Sequence, residues 1–100
     1  MTLTYPRPGA NERLTRLLVG MHDYYTGLDM ESFEVVADFP LDGVPAGQNL
    51  AKKFQALSDS RWELLLTKPI MNLPKGKLIV AVKDKQGNTS RIERTFSVAP

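Results

Sequence analysis

Cysteine is absent from this sequence of 100 residues, and histidine occurs once, at position 22. The lack of thiols excludes disulfide bridges, thiolate zinc sites and cysteine nucleophiles. A single imidazole excludes any site that needs two. No apolar run has the length of a membrane span, and none follows Met1 as a secretory signal would require. Either the protein is intracellular or the sequence is a segment of a longer chain, and we favour the segment.

A large excess of either charge is also missing. The chain has 13 Lys and Arg against 11 Asp and Glu, which gives a formal net charge of +2. A dedicated nucleic-acid binder would concentrate Lys and Arg on one face, so we expect no nucleic-acid partner. Hydrophobic residues at 42% and charged residues at 24% are typical of a globular domain. The length allows one such domain with one modest core.

Short segments of alternating or continuous apolar residues dominate the chain, and no amphipathic helix of useful length is visible. They predict strands at 13–21, 33–39, 61–67, 77–83 and 92–98. Turns are expected at 41–47, 58–60 and 72–76, a tight hairpin loop at 84–88, and an irregular segment or short strand at 49–57. Residues 1–12 contain two prolines and predict a linker or an edge strand. Regular turn spacing indicates an all-β sandwich for residues 13–100.

Two segments resemble a known family. Residues 22–29, HDYYTGLD, with Ser32 to Val35 after them, are similar to the D-x-x-S/T-G-hydrophobic-D loop and following strand of bacterial immunoglobulin-like (Big-type) modules. Residues 80–88, VAVKDKQGN, followed by Phe96, Ser97 and Val98, are similar to the V-x-V-x-D-x-x-G-N … F-x-V ending of the same modules. The resemblance implies an immunoglobulin-like antiparallel β-sandwich of about seven strands.

The same resemblance implies a function. Such modules are parts of larger secreted or cell-surface bacterial proteins, where they act as spacers, stabilisers or adhesive units. We therefore expect a noncatalytic accessory module whose partners are neighbouring domains of the same polypeptide. A fold by itself does not set a function, so the expectation depends on the analogy.

Four polar residues are candidate calcium ligands: Asp23, Asp29, Asp84 and Asn88. By strand parity, Asp23 and Asp84 each continue the core side of a strand just past its end. In an immunoglobulin topology these two loops lie at the same end of the sandwich, and calcium takes about six to eight oxygen ligands. The alternative is that these side chains only cap turns by bonding to nearby backbone amides.

Aromatic residues offer a second candidate site. Tyr24 and Tyr25 are adjacent, so on an extended chain they point in opposite directions and one ring could be exposed. An exposed ring could bind a carbohydrate or a protein, whereas the half-burial that is common for tyrosine favours a ring packed over the end of the sandwich as a lid. Trp62 shares one side of its predicted strand with two leucines, which favours core packing over a carbohydrate platform.

Catalysis has little support in the sequence. His22 and Asp23 could form a triad with a serine, but the serines lack a nucleophile-elbow context. We therefore predict that the chain is not an enzyme. Arg94 has core-side parity in the last strand, and we expect its stem to pack while its charged head reaches water at the edge.

Overall fold

The computed structural model describes residues 1–21, 28–58 and 60–99. Their regular structure is a set of eight strands and one short 3-10 helix, Ala51–Lys53. The strands are β1 (Thr2–Tyr5), β2 (Gly9–Asn11), β3 (Leu14–Gly20), β4 (Leu28–Ala37), β5 (Gln55–Ser58), β6 (Arg61–Ile70), β7 (Leu73–Asp84) and β8 (Thr89–Val98). Within these described residues, no helix is long and apolar enough to cross a bilayer.

The strands form two four-stranded sheets. One sheet has the order β1-β3-β6-β5 and the other has the order β2-β8-β7-β4. All neighbours are antiparallel except β2 and β8, which run parallel. Constant-type immunoglobulin domains divide their seven strands in the same way, with the first, second, fifth and fourth strands in one sheet and the third, sixth and seventh in the other. The prediction of an all-β immunoglobulin-like sandwich is therefore confirmed.

The first strand of that arrangement is divided here between the two sheets. β1 lies at the edge of one sheet and β2 at the edge of the other. The crossing residues contain Pro6 and Pro8, and the peptide bond before Pro6 is cis. Proline donates no backbone hydrogen bond, so the change of sheet falls at a point where the ladder is already interrupted. The division gives eight strands where about seven were expected.

One apolar core lies between the sheets. Its residues that are at most 1% exposed include Leu17 and Val19 from the first sheet, Met21 just after β3, and Val35, Leu78, Val80 and Val82 from the second sheet. β3 and β6 lose register between Leu14, which pairs with Ile70, and Arg16, which pairs with Leu65. The extra residues of this irregularity therefore lie in β6. Leu14 is buried, although the alternation set by Leu17 and Val19 would place Thr15 in the core.

The segment 72–76 differs from its predicted turn. β7 already begins at Leu73, and its pairing with β8 shifts register between Leu73 and Gly76. Pro74 cannot donate a hydrogen bond to a neighbouring strand. It lies at the bulge, before the residues of β7 that pair with β4, so no such bond to β4 is lost. The segment 49–57 contains the 3-10 helix and β5, in agreement with an irregular stretch or short strand.

Candidate functional site

The hairpin between β7 and β8 marks one end of the sandwich, called here the hairpin pole. β4 begins beside it, with Asp29 opposite Lys83. Three of the proposed metal ligands, Asp29, Asp84 and Asn88, therefore lie at this pole. Directly opposed residues of neighbouring strands point to the same face, and successive residues point to opposite faces. Asp29 thus lies on the face of Lys83, whereas Asp84 continues the buried face of Val82.

Asp84 organises the hairpin turn. One carboxylate oxygen, Oδ1, accepts hydrogen bonds from the backbone N–H groups of Gln86 and Asn88, each at 2.9 Å. The other, Oδ2, accepts one from the side-chain amide of Asn88 at 3.1 Å. Gly87 lies in this turn with φ of 92°, a conformation that glycine adopts without strain. The bonds from Asn88, with smaller contributions from Gln86 and Gly87, lower the pKa of Asp84.

Asp29 accepts hydrogen bonds from residues that follow it in β4. Its Oδ1 accepts a hydrogen bond from the backbone N–H of Glu31 at 3.1 Å, and its carbonyl accepts one from the Ser32 hydroxyl at 2.6 Å. The Ser32 oxygen in turn accepts a bond from the Lys83 N–H at 2.7 Å. Because β4 and β7 lose register between Asp29 and Glu34, the serine hydroxyl replaces a missing bond between the strands.

These contacts match turn capping, the alternative stated for the calcium hypothesis. Across residues 1–21, 28–58 and 60–99, no group of three or more acidic or histidine side chains could hold a metal ion. Asp23, Tyr24 and Tyr25 lie outside the described residues. A calcium site that includes Asp23, and a binding site built on Tyr24 and Tyr25, both stay predictions.

Trp62 packs at the margin of the core. Its ring centroid lies 6.5 Å from that of Phe33, which meets Phe54 edge-on at 5.4 Å. A cavity of about 570 Å³ lies over these rings, with Glu31 and Lys52 in its wall. Trp62 is half-buried and contacts the core cluster, as expected for a packing residue.

Arg94 lies on the buried side of β8, as its parity predicts, and its guanidinium contacts the backbone near the crossing between the sheets. It donates hydrogen bonds to the carbonyl oxygens of Leu3 and, at 3.1 Å, of Pro6. The side chain therefore fixes the last strand to the segment in which the chain changes sheets. Strand parity alone did not predict these contacts of the guanidinium with the backbone.

A second polar site, which sequence analysis missed, lies beside this crossing. A cavity of about 470 Å³ is lined by Tyr5, Arg7, Arg13 and Arg16, among others. The guanidinium carbon of Arg16 lies 4.8 Å from the centroid of the Tyr5 ring, and that of Arg7 lies 5.6 Å from it. We call this site the arginine cleft.

The arginine cleft had a visible signal in the sequence. Three arginines occur within ten residues, next to a tyrosine and two prolines. The near-balanced charge of the whole chain concealed this local excess. Their convergence also depends on the crossing between sheets and on the loss of register between β3 and β6, neither of which residue spacing reveals.

The sheets and their strand order define a sandwich of the immunoglobulin type, with a capped hairpin at one pole and an arginine cleft beside the crossing segment. No protein-family model matches the chain, and no curated protein matches it in sequence.

Proposed function

We propose that the chain is a noncatalytic immunoglobulin-like module that spaces, stabilises or docks neighbouring domains of a bacterial secreted or cell-surface protein. The observation that carries this proposal is the position of its outermost strand ends. The first strand begins at one pole of the sandwich, and the last strand ends at the other.

The strand register establishes this arrangement. β1 begins with Thr2 opposite Gly20, at one end of β3. The other end of β3, at Leu14, pairs with Ile70, the last residue of β6. Two residues then lead to Leu73, which lies opposite Val98 at the end of β8. The principal dimension of the molecule is 41 Å, against 24 and 23 Å across.

This geometry suits a chain of modules in series. A module whose strand ends lie at opposite poles adds its full length between its neighbours, whereas one with adjacent ends would project sideways. The rigid core between the sheets, rather than a flexible linker, would then set the spacing. The alternative function, carbohydrate or protein binding through Tyr24 and Tyr25, depends on residues outside the described part.

Small-angle X-ray scattering of two copies joined head to tail by a short linker tests the proposal. We expect the longest dimension of the pair to exceed that of one copy by close to the 41 Å long axis. The single chain, measured in the same buffer, is the control. A pair that packs side by side, and so gains width rather than length, would contradict a spacing function.

A further inference from the structure

The arginine cleft lies where the chain passes from one sheet to the other and returns. Tyr5, at the end of β1, forms one wall, and Arg7 follows it in the crossing segment. Asn11 closes the far side, and its side chain is bonded to the carbonyls of Arg7, Gly9 and Ser97. These bonds fix the backbone of the crossing segment, so the cleft is a built feature of the fold.

Positive charge in the cleft exceeds the negative charge that contacts it. Arg16 forms an ion pair with Glu63 at 3.0 Å. Among the residues that the structure describes, neither Arg7 nor Arg13 forms an ion pair, and Glu12, in the same wall, lies within 4 Å of no cationic group. Two guanidinium groups therefore line the cleft without an ion pair to any described carboxylate.

Two arginines of the cleft, Arg7 and Arg16, lie close to the neutral ring of Tyr5. Cation–π attraction favours this arrangement. Hydrogen bonding to Arg7 and the charge of Arg7, followed by the same effects of Arg16, lower the pKa of the Tyr5 hydroxyl. The local potential is thus positive enough to stabilise a negative oxygen at this point.

We infer that the arginine cleft binds an oxoanion group: a carboxylate, sulfate or phosphate. A guanidinium presents a planar fork of N–H donors that matches two oxygens of such a group, which a spherical ion such as chloride does not offer. Tyr5 holds the guanidinium groups of Arg7 and Arg16 near one ring, and Arg13 adds a third cation to the lining. This binding is independent of the spacing function proposed above.

Nuclear magnetic resonance of the arginine side chains tests the inference. The full chain, labelled with nitrogen-15, is titrated separately with inorganic phosphate, sulfate and acetate, with chloride removed in step to hold the ionic strength constant. We expect saturable shifts of the Nε–H signals of Arg7, Arg13 and Arg16, and an increase in the pH at which Tyr5 ionises. Saturation by acetate alone would assign a carboxylate, and saturation by sulfate or phosphate would assign a tetrahedral anion.

Three matched variants complete the test. Arg7→Gln and Arg13→Gln each remove a guanidinium that forms no ion pair within the described part of the chain, and we expect each to weaken binding by about tenfold or more. Arg91→Gln removes the same charge from an exposed position in β8 and should leave the affinity unchanged. Shifts that never saturate with any of the three anions, or an equal loss in Arg91→Gln, would overturn the inference. Unchanged melting temperatures of the variants would show that the fold is intact.

Discussion

Arg94 is a charged residue on the buried side of β8 that hydrogen-bonds to the backbone of the first strand and the crossing segment. Its neighbours on the same side of β8, Phe96 and Val98, are buried in the core. Its own side chain is half-buried and donates to the carbonyls of Leu3 and Pro6. A guanidinium has five donors and no acceptor, so it can donate to both of these carbonyls at once.

Replacing Arg94 by methionine should keep the packed stem and remove the two bonds. Because hydrogen bonds to charged groups contribute about 1.5–3 kcal/mol, we expect the free energy of unfolding to fall by a similar amount. Urea denaturation monitored by tryptophan fluorescence measures it. The control is Arg91→Met, since Arg91 is exposed and forms an ion pair with the exposed Glu93, and it should change stability by less than about 0.5 kcal/mol.

Asp84 gives the hairpin a dependence on pH. Its pKa is lowered in the folded chain, first by the bonds from Asn88. Its stabilising effect is therefore complete above the pKa of the unfolded state, about 3.9, and is lost as the pH falls through the lower folded value. We expect Asp84→Asn to melt at a lower temperature than the wild type at neutral pH.

The difference in melting temperature between these two proteins should narrow as the pH is lowered below about 4. Asp42 and Glu93, whose pKa values are lowered by Thr67 and Lys77 respectively, are present in both proteins, so their effect cancels in the comparison. Glu12→Gln, at an exposed carboxyl without an ion pair among the described residues, is the control. A difference that stays constant down to acidic pH would rule out this role.

Among the elements, strands that pair over many residues could be predicted from the sequence, and those set by tertiary contacts could not. The apolar alternation of 77–83 places Leu78, Val80 and Val82 in the core, as observed. β5 is four exposed residues whose pairing with β6 alone defines it. Pro74 and Gly76 are turn formers by local preference, yet a bulge keeps them within β7. Bulges depend on the partner strand, so a single sequence does not show them.

Gly76 is the point in β7 where close packing demands glycine. A Cβ atom there would lie 2.6 Å from Leu73 Cδ2, 3.0 Å from Phe96 Cζ and 3.2 Å from Phe39 Cε1. The Leu73 methyl group could rotate away, but the two rings meet edge to face and hold each other. We expect Gly76→Ala to destabilise the protein by about 1–3 kcal/mol, the usual cost of overpacking.

The matched control for this substitution is Gly20→Ala in β3. A Cβ at Gly20 would meet its nearest neighbours at 3.7 Å or more, which is ordinary contact. Alanine there restricts the unfolded chain without strain, so stability should be unchanged or rise by up to about 1 kcal/mol. Thermal unfolding of both variants measures the difference. Equal stabilities of the two variants would show that Phe39 and Phe96 move to accommodate the added Cβ at Gly76 without a cost in stability.

At the scale of the whole molecule, parity predicts the face of Asp84, but the sequence does not predict the face of Asp29. Asp84 and Asn88 share one end because they flank a hairpin turn, and Asp29 lies there because β4 pairs with β7. The register, which places Asp29 opposite Lys83, sets Asp29 and Asp84 on opposite faces. The arginine cleft could not be predicted from the sequence, because it forms where the divided first strand crosses between the sheets.

The parallel pair of β2 and β8 determines how the molecule should respond to tension. Gly9, Ala10 and Asn11 pair with Phe96, Ser97 and Val98, and the Ala99 N–H donates to the Asn11 carbonyl at 2.9 Å. Tension along the long axis would draw β2 toward one pole and β8 toward the other. The bonds between them are then loaded together in shear, rather than broken one after another.

Asn11→Ala should therefore lower the force at which a single chain, held at its two ends, unfolds in an optical trap. The variant loses the side-chain bonds to Arg7, Gly9 and Ser97, which brace β2 against β8. Asn88→Ala is the matched control, because it removes a side-chain amide bond from the hairpin, beyond the sheared pair. It should lower the melting temperature and leave the unfolding force unchanged. If both variants lowered the force equally, resistance would come from the sandwich as a whole and not from the pairing of β2 with β8.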